Sequence, residues 1–144
     1  MSFDDKVLKV MKCINQAVAV RGWCLVEGGV GVGKTRATQE ALHQIGWEAA
    51  WREVSELEDE KARSTLSIEP KELLVLDGLV EEWDPVEAGQ MPSRSWTSLY
   101  TAMTVAMARA ENGLMTVICA VCREGDEKRP ELNNMPGCVA VTLG

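Results

Sequence analysis

The 144 residues include 15 Lys and Arg against 22 Asp and Glu, and the net charge of −7 argues against strong electrostatic binding of nucleic acid. Hydrophobic residues make up 46% of the chain and charged residues 26%, which excludes wholesale disorder. No apolar run approaches the ~18 residues of a membrane span, and the first residues lack the pattern of a secretory signal. We therefore expect one domain over residues 1–144, located in the cytoplasm and without membrane contact.

Two helices and a strand are predicted in the first third of the chain. Residues 2–20 have apolar side chains at helical spacing, with Ser2 as the N-cap, and Arg21-Gly22 ends the helix. Residues 23–26 form a short apolar run typical of a buried strand. A second helix is predicted over residues 34–45, ended by Gly46. The side chains expected to face inward are Val7, Met11, Ile14, Val18, Ala37, Ala41, Leu42 and Ile45.

Strands and helices alternate in the rest of the chain. In order, the patterns predict a strand at 47–54, a short acidic helix from Ser55 to about Leu66, a strand at 73–77, a surface loop at 84–94, a helix at 95–111, a strand at 114–121, a charged loop at 123–129 and a strand at 138–143. This alternation predicts an α/β fold with three αβα layers and a mostly parallel sheet of about five strands.

A glycine-rich segment has the spacing of a phosphate-binding loop. Gly28-Gly29-Val30-Gly31-Val32-Gly33-Lys34-Thr35 matches G-x-x-x-x-G-K-[ST] at every fixed position, between a predicted strand and a predicted helix. Glycines let backbone N–H groups approach phosphate oxygens, and the N-terminus of the following helix favours an anion. Lys34 would neutralise charge on the β- and γ-phosphates, and Thr35 would ligate Mg²⁺. With Arg36, these residues are the predicted cofactor-binding segment.

Asp77 is the second candidate residue for this chemistry. It follows four apolar residues, Leu73-Leu74-Val75-Leu76, and therefore ends a predicted buried strand downstream of the loop. An acidic residue in this position is the expected partner of Mg²⁺ in a site that holds a nucleoside triphosphate.

These two segments resemble the Walker A and Walker B motifs of P-loop NTPases, in the branch that contains the AAA+ and RecA-like ATPases. The resemblance covers residues 22–143, with residues 1–21 as an additional N-terminal helix. No Asn-Lys-x-Asp motif for guanine recognition is found, so the resemblance implies ATP and Mg²⁺ as cofactors. The order of elements is similar to that of small AAA+ proteins of phages and mobile elements. This implies a nucleotide-controlled switch or assembly module, with a protein partner or homo-oligomer, in DNA metabolism.

The chain departs from these families where a catalytic carboxylate is expected. The residue after the Walker B Asp is commonly a Glu that positions the attacking water, and here it is Gly78. Glu81, Glu82 and Glu53 are the alternatives, Glu53 at the end of the second strand as in RecA-like relatives. The predicted catalytic residues are thus Lys34, Asp77, Glu53 and Glu81.

Arginines that contact a γ-phosphate are also hard to assign. The family's polar sensor would fall near Cys122-Arg123, and the helical lid with its second sensor Arg is absent from these residues. Arg94 or Arg109 could act as an arginine finger, although a solvated surface position is the alternative for both. The resemblance therefore implies good nucleotide binding and slow hydrolysis unless a partner completes the site.

The cysteines and the single histidine favour no metal site. The five cysteines lie mostly in apolar stretches, as reduced core thiols do, and Cys119 and Cys122 would point to opposite faces of one strand. His43 lies in a predicted helix with no Cys nearby, which favours a surface position.

The five tryptophans are unusual beside one Phe and one Tyr. Trp47, Trp51, Trp83 and Trp96 indicate either core filling or a surface for a protein partner, and Trp23, close to the glycine-rich loop in sequence, is expected to report its occupancy.

Two other functions remain open from the sequence. A non-enzymatic interaction protein would hold nucleotide as a structural element, consistent with the missing Glu after Asp77. A small-molecule kinase would need Arg clusters for an acceptor, and the loop regions are acidic and poor in Arg.

Overall fold

The structure, a computed structural model, describes residues 1–29, 31–58, 61, 64–65, 71–80, 94–121 and 136–144. Its elements in chain order are α1 (Phe3–Val20), β1 (Trp23–Gly28), α2 (Lys34–Ile45), β2 (Ala50–Glu53), a 3₁₀ helix (Val54–Glu58), β3 (Leu73–Val80), α3 (Arg94–Glu111), β4 (Met115–Val121) and β5 (Cys138–Leu143).

The five strands form one sheet in the order β2-β3-β4-β1-β5. Every neighbouring pair is parallel, so the carboxyl ends of all five strands lie at one edge of the sheet. Between β3 and β4 the register shifts in the interval from Leu76 to Leu79, which places an irregularity at Asp77 and Gly78.

Helices cover both faces of the sheet, because side chains alternate along each strand. Helices α1 and α2 pack on one face, against Cys24, Val26, Leu73, Val75, Val117 and Cys119. Helix α3 and the 3₁₀ helix pack on the other, against Trp23, Leu25, Leu74, Leu76, Ile118 and Ala120. The predicted α/β fold with three αβα layers and a five-stranded sheet is confirmed.

The first helix begins and ends where the sequence predicts. The Ser2 side chain accepts a hydrogen bond from the Asp5 N–H at 3.2 Å, and Arg21 caps the C-terminus in the left-handed conformation at φ 54°. The predicted inward stripe is only partly right, since Val18 is 49% exposed. The buried stripe is instead Val7, Val10, Cys13, Ile14 and Ala17.

Other boundaries differ by a few residues. The strand predicted at 47–54 is shorter, at Ala50–Glu53, and is followed directly by the 3₁₀ helix in place of the first turn of the predicted acidic helix. The second helix and the last strand match their predicted bounds. Asp77 does not end its strand as predicted, because β3 continues past the irregularity to Val80, where Leu79 and Val80 pair with β4. Of the surface loop predicted at 84–94, residues 84–93 lie outside the described residues, as does the charged loop at 123–129, and Arg94 belongs to α3 and not to the loop.

Among the described residues, no helix has both the length and the apolar character needed to cross a membrane.

Candidate functional site

The glycine-rich segment, which we call the phosphate loop (residues 28–35), connects the carboxyl end of β1 to the start of α2. Gly31 and Gly33 have φ of 79° and 87°, a region that side chains with a Cβ rarely adopt. Gly28 is needed for a different reason: a Cβ there would lie 2.6 Å from the Leu143 carbonyl oxygen of β5. The glycines thus allow the chain to turn close to the sheet. Val30 lies outside the described residues.

The N-terminus of α2 has backbone N–H groups that could bind an anion. Gly33 is its N-cap and supplies no side chain, and the first intrahelical bond runs from the Ala37 N–H to the Gly33 carbonyl at 2.9 Å. The preceding N–H groups of a helix have no intrahelical partner and lie at the positive end of its dipole. Phosphate oxygens at this position would supply the missing acceptors.

The Lys34 ammonium lies against the phosphate loop itself. Its Nζ donates to the carbonyl oxygens of Gly28 at 3.1 Å and Gly29 at 2.9 Å. Burial lowers the pKa of Lys34 below its ordinary value, while Cys119 and Asp77 oppose that shift. The cation is therefore partly desolvated and held by neutral acceptors, which a phosphate oxygen would replace with a stronger, charged one.

Thr35 and Asp77 are in direct contact. The Thr35 hydroxyl donates to Asp77 Oδ2 at 2.8 Å, and Asp77 Oδ1 accepts from the Gly78 N–H at 2.8 Å. Both side chains are partly buried, and Asp77 lies at the irregularity in β3, three residues before the carboxyl end of that strand. Hydroxyl and carboxylate oxygens are the donors that Mg²⁺ prefers, and a few protein ligands suffice because phosphate and water complete its shell. The residues therefore fit the predicted metal.

Glu53 lies beside this pair. In the parallel pairing of β2 with β3 it is the register partner of Asp77. Gly78 has φ 83°, and a Cβ on it would lie 2.5 Å from Glu53 Oε2, so the Glu53 carboxylate occupies the space above Gly78. The structure thus places a carboxylate beside Asp77, although the residue that follows Asp77 is a glycine.

Of the predicted residues not yet placed, Arg36 and Arg109 have described side chains. Arg36 lies at the start of α2 with its guanidinium 5.8 Å from the centre of the Phe3 ring. Glu81, Glu82, Cys122 and Arg123 lie outside the described residues, and so does the side chain of Arg94.

Arg109 is neither an arginine finger nor a surface residue. It is fully buried, and its guanidinium donates to Thr116 Oγ1 at 3.0 Å and to the carbonyl oxygens of Lys71 at 3.0 Å and Met115 at 3.2 Å. Helical spacing alone could not reveal this, because it depends on carbonyls from β4 and from the segment before β3.

The described cysteines are free thiols in or near the core. Cys119 on β4 lies under the start of α2, with its Sγ 3.7 Å from Thr38 Oγ1, and burial raises its pKa to about 12. Cys13 and Cys24 have their sulfurs 3.3 Å apart. Among the described residues, no group of three or more His, Cys, Asp or Glu side chains is arranged to hold a metal ion.

Trp23 is not placed to report on the phosphate loop. It is fully buried at the amino end of β1, with its indole N–H bonded to the Pro136 carbonyl at 3.3 Å. The rest of β1, up to Gly28, separates it from the loop by about 17 Å at the usual rise per residue of a strand.

Sequence reasoning missed one residue that contacts the phosphate loop. Lys6 on α1 donates to the Val32 carbonyl oxygen at 2.7 Å, across 26 positions of sequence. No local pattern signals this contact, since it depends on how α1 packs beside α2.

No protein-family model matches the chain, and no curated protein matches it. Among solved structures, the crystal structure of a DNA replication initiation factor matches 93% of this chain with a TM-score of 0.56 and 13% sequence identity. The match covers 43% of that protein's chain, so the present chain spans less than half of its length. The likeness is one of fold.

Proposed function

We propose that this chain binds ATP with Mg²⁺ in the phosphate loop and is a slow ATPase that a partner stimulates. The contact between Thr35 and Asp77 carries this proposal. These residues belong to two separate sequence motifs, and the fold brings their oxygens within 2.8 Å at the carboxyl edge of a parallel sheet. That edge is where ligands bind in open α/β sheets.

The triphosphate would lie against the first turn of α2. Backbone N–H groups of the loop and of this turn, up to Arg36, would hold phosphate oxygens. Lys34 would leave the carbonyls of Gly28 and Gly29 and neutralise charge on the β- and γ-phosphates.

Thr35 and Asp77 would hold Mg²⁺, Thr35 through its hydroxyl and Asp77 through its carboxylate, directly or through water. When bound, the ion supplies charge neutralisation at the β- and γ-phosphates. The Thr35 hydroxyl donates to the Asp77 carboxylate at 2.8 Å, so both side chains are oriented toward the same point.

Glu53 is the residue that we assign to the attacking water. It is exposed, and it lies on the strand next to Asp77 at the same edge. A carboxylate there can accept a hydrogen bond from water and orient it toward a γ-phosphate. Glu81 remains the second candidate. Because Arg109 is buried and donates to β4 and to the segment before β3, it does not serve as an arginine finger, and we expect slow turnover by the chain alone.

The biological role that we propose is a nucleotide-controlled switch or assembly module in DNA metabolism, of the kind found in phages and mobile elements. The shared fold with a DNA replication initiation factor is consistent with this role. The net charge of −7 favours a protein partner or a second copy of the chain over direct contact with DNA.

A non-hydrolysing interaction protein is the second candidate function. Gly78 favours it, since the position after Asp77 has no carboxylate of its own and has a backbone conformation suited to glycine. In this case nucleotide would stabilise the fold without turnover.

Phosphate release distinguishes these functions. We would measure it with Mg²⁺-ATP for the wild type, Lys34→Ala, Glu53→Gln and Glu48→Gln, each with and without DNA. Glu48→Gln is the matched control, because it removes the same charge as Glu53→Gln from an exposed residue that lies before β2. The ATPase proposal expects slow release that Glu53→Gln reduces by tenfold or more and that Glu48→Gln leaves unchanged. Release that no addition raises above that of Lys34→Ala would contradict it and favour the non-hydrolysing protein.

A further inference from the structure

Lys6 connects the N-terminal helix to the phosphate loop. Its Nζ donates to the Val32 carbonyl oxygen at 2.7 Å, and its side chain is partly buried. We propose that Lys6 is a positioning residue for phosphate binding, because it fixes the peptide unit between Val32 and Gly33. This inference rests on the proposed function of the loop.

Peptide geometry gives the reason. The described chain has no cis peptide bonds, and in a trans peptide the C=O and the N–H point in opposite directions. The bond that holds the Val32 carbonyl toward Lys6 therefore directs the Gly33 N–H away from α1. Gly33 is the N-cap of α2, so its N–H belongs to the group of donors that would face a phosphate.

The orientation of the peptide between Val32 and Gly33 needs support because the second of these residues is a glycine. A flip of the peptide between Val32 and Gly33 changes ψ of Val32 and φ of Gly33, and Gly33 has φ 87°. Because glycine adopts positive and negative φ about equally readily, this flip costs little at Gly33 unless something holds the Val32 carbonyl. Lys6 supplies the side-chain contact that holds it.

Lys6 itself is held by the packing of α1. One turn before it, the Phe3 ring lies 5.8 Å from the Arg36 guanidinium in the first turn of α2. One residue after it, Val7 is 3% exposed and packs in the core between α1, α2 and the sheet. The start of α1 is thus fixed relative to the start of α2. This packing holds the Lys6 ammonium close to the Val32 carbonyl oxygen.

The test compares Lys6→Met with Lys9→Met. Methionine keeps the apolar stem and removes the ammonium, and Lys9 is exposed on the same helix, so both variants lose one charge from α1. Affinities for ATP and for inorganic tripolyphosphate, each with Mg²⁺, are measured by calorimetry.

We expect Lys6→Met to bind both ligands about tenfold more weakly than Lys9→Met, because a charge-assisted hydrogen bond orients the donor. Lys6→Arg keeps the charge and restores most of the affinity.

The outcomes are distinct. If the wild type binds neither ligand, the proposed function fails and the inference fails with it. If the wild type binds and Lys6→Met binds as well as Lys9→Met, only the inference is overturned. A loss seen with ATP but not with tripolyphosphate also overturns it, since Lys6 would then act on the nucleoside. Thermal unfolding without ligand shows whether Lys6→Met is folded, and a weakening that only follows a loss of folded protein contradicts the positioning role.

Discussion

The hydrogen bond between Thr35 and Asp77 joins two residues that are 42 positions apart in the chain. Each is an ordinary polar residue in isolation. Their contact at 2.8 Å creates a cluster of hydroxyl and carboxylate oxygens beside the uncapped N-terminus of α2. The chemistry we propose depends on this pair more than on any single residue.

Replacing Asp77 with Asn tests the metal site. The amide keeps the size of the side chain and can still bond to Thr35, but it lacks the charge that a divalent cation requires. We expect Mg²⁺ to increase the ATP affinity of the wild type and to have about tenfold less effect on Asp77→Asn, as measured by titrations with and without EDTA. The matched control, Glu48→Gln, keeps the full effect of Mg²⁺, and equal behaviour of the two variants would argue against this site.

The buried Cys119 thiol is expected to lower the free energy of unfolding as the pH rises above 9. The ordinary thiol pKa is 9.0, and burial raises that of Cys119 to about 12. Above pH 9 the unfolded chain therefore releases a proton that the folded chain retains, so stability is complete below pH 9 and falls as the pH rises toward 12. Urea unfolding of Cys119→Ser between pH 8 and 10.5 should show a shallower fall than the wild type. Identical slopes would show that this thiol is not protected. Cys138, whose pKa burial also raises to about 12, accounts for part of the remaining slope.

At the scale of secondary structure, the parallel pairing of β2 with β3 sets the position of the Glu53 carboxylate. Glu53 ends β2 as the register partner of Asp77, and Gly78 leaves the space that its carboxylate occupies. Sequence alone could name Glu53 only as one of several acidic residues, because parallel pairing of separated segments has no local signature.

Gly78→Ala tests this arrangement against Gly46→Ala. Both glycines have positive φ, so each substitution should cost about 1 kcal/mol or more in unfolding free energy. A Cβ at Gly46 meets nothing within 4 Å, whereas one at Gly78 displaces the flexible end of Glu53. We expect similar losses of stability in urea but a loss of phosphate release only for Gly78→Ala. Equal release by the two variants would separate Glu53 from hydrolysis.

The buried Arg109 links α3 to β4 and to the segment before β3. Arg109→Met removes donors from the Lys71 and Met115 carbonyls and from Thr116, leaving polar groups buried. We expect a loss of about 3 kcal/mol in unfolding free energy. Arg52→Met, at an exposed position on β2, should cost little, and a small loss for both would mean that the buried network contributes little stability.

The ends of the helices could be predicted from the sequence because they depend on local residues. The buried faces of the helices could be predicted only in part. Ser2, Gly46 and Gly113 mark ends through capping and left-handed backbone, which depend on a few adjacent residues. The burial of Val10 and the exposure of Val18 depend on how α1 is rotated against the sheet and α2. That rotation is a property of packing, which apolar spacing constrains only within about one position.

For the molecule as a whole, the sheet order places the carboxyl ends of β1 and β3 on either side of β4. The phosphate loop and Asp77 therefore meet at one edge, although β2 lies between them in the sequence. The loop and Asp77 could be predicted because their motifs are local and chemically specific. Lys6 could not, because its contact with Val32 depends on the docking of an entire helix.

Calorimetric titration of the folded chain with Mg²⁺-ATP is the strongest test of the proposed nucleotide site, with Lys34→Ala as the variant and Lys12→Ala, exposed on α1, as its matched control. We expect a dissociation constant on the order of micromolar for the wild type and for Lys12→Ala, weaker binding of Mg²⁺-GTP, and a loss of about a hundredfold for Lys34→Ala. Absence of binding by the folded wild type, or equal binding by the two lysine variants, would contradict it.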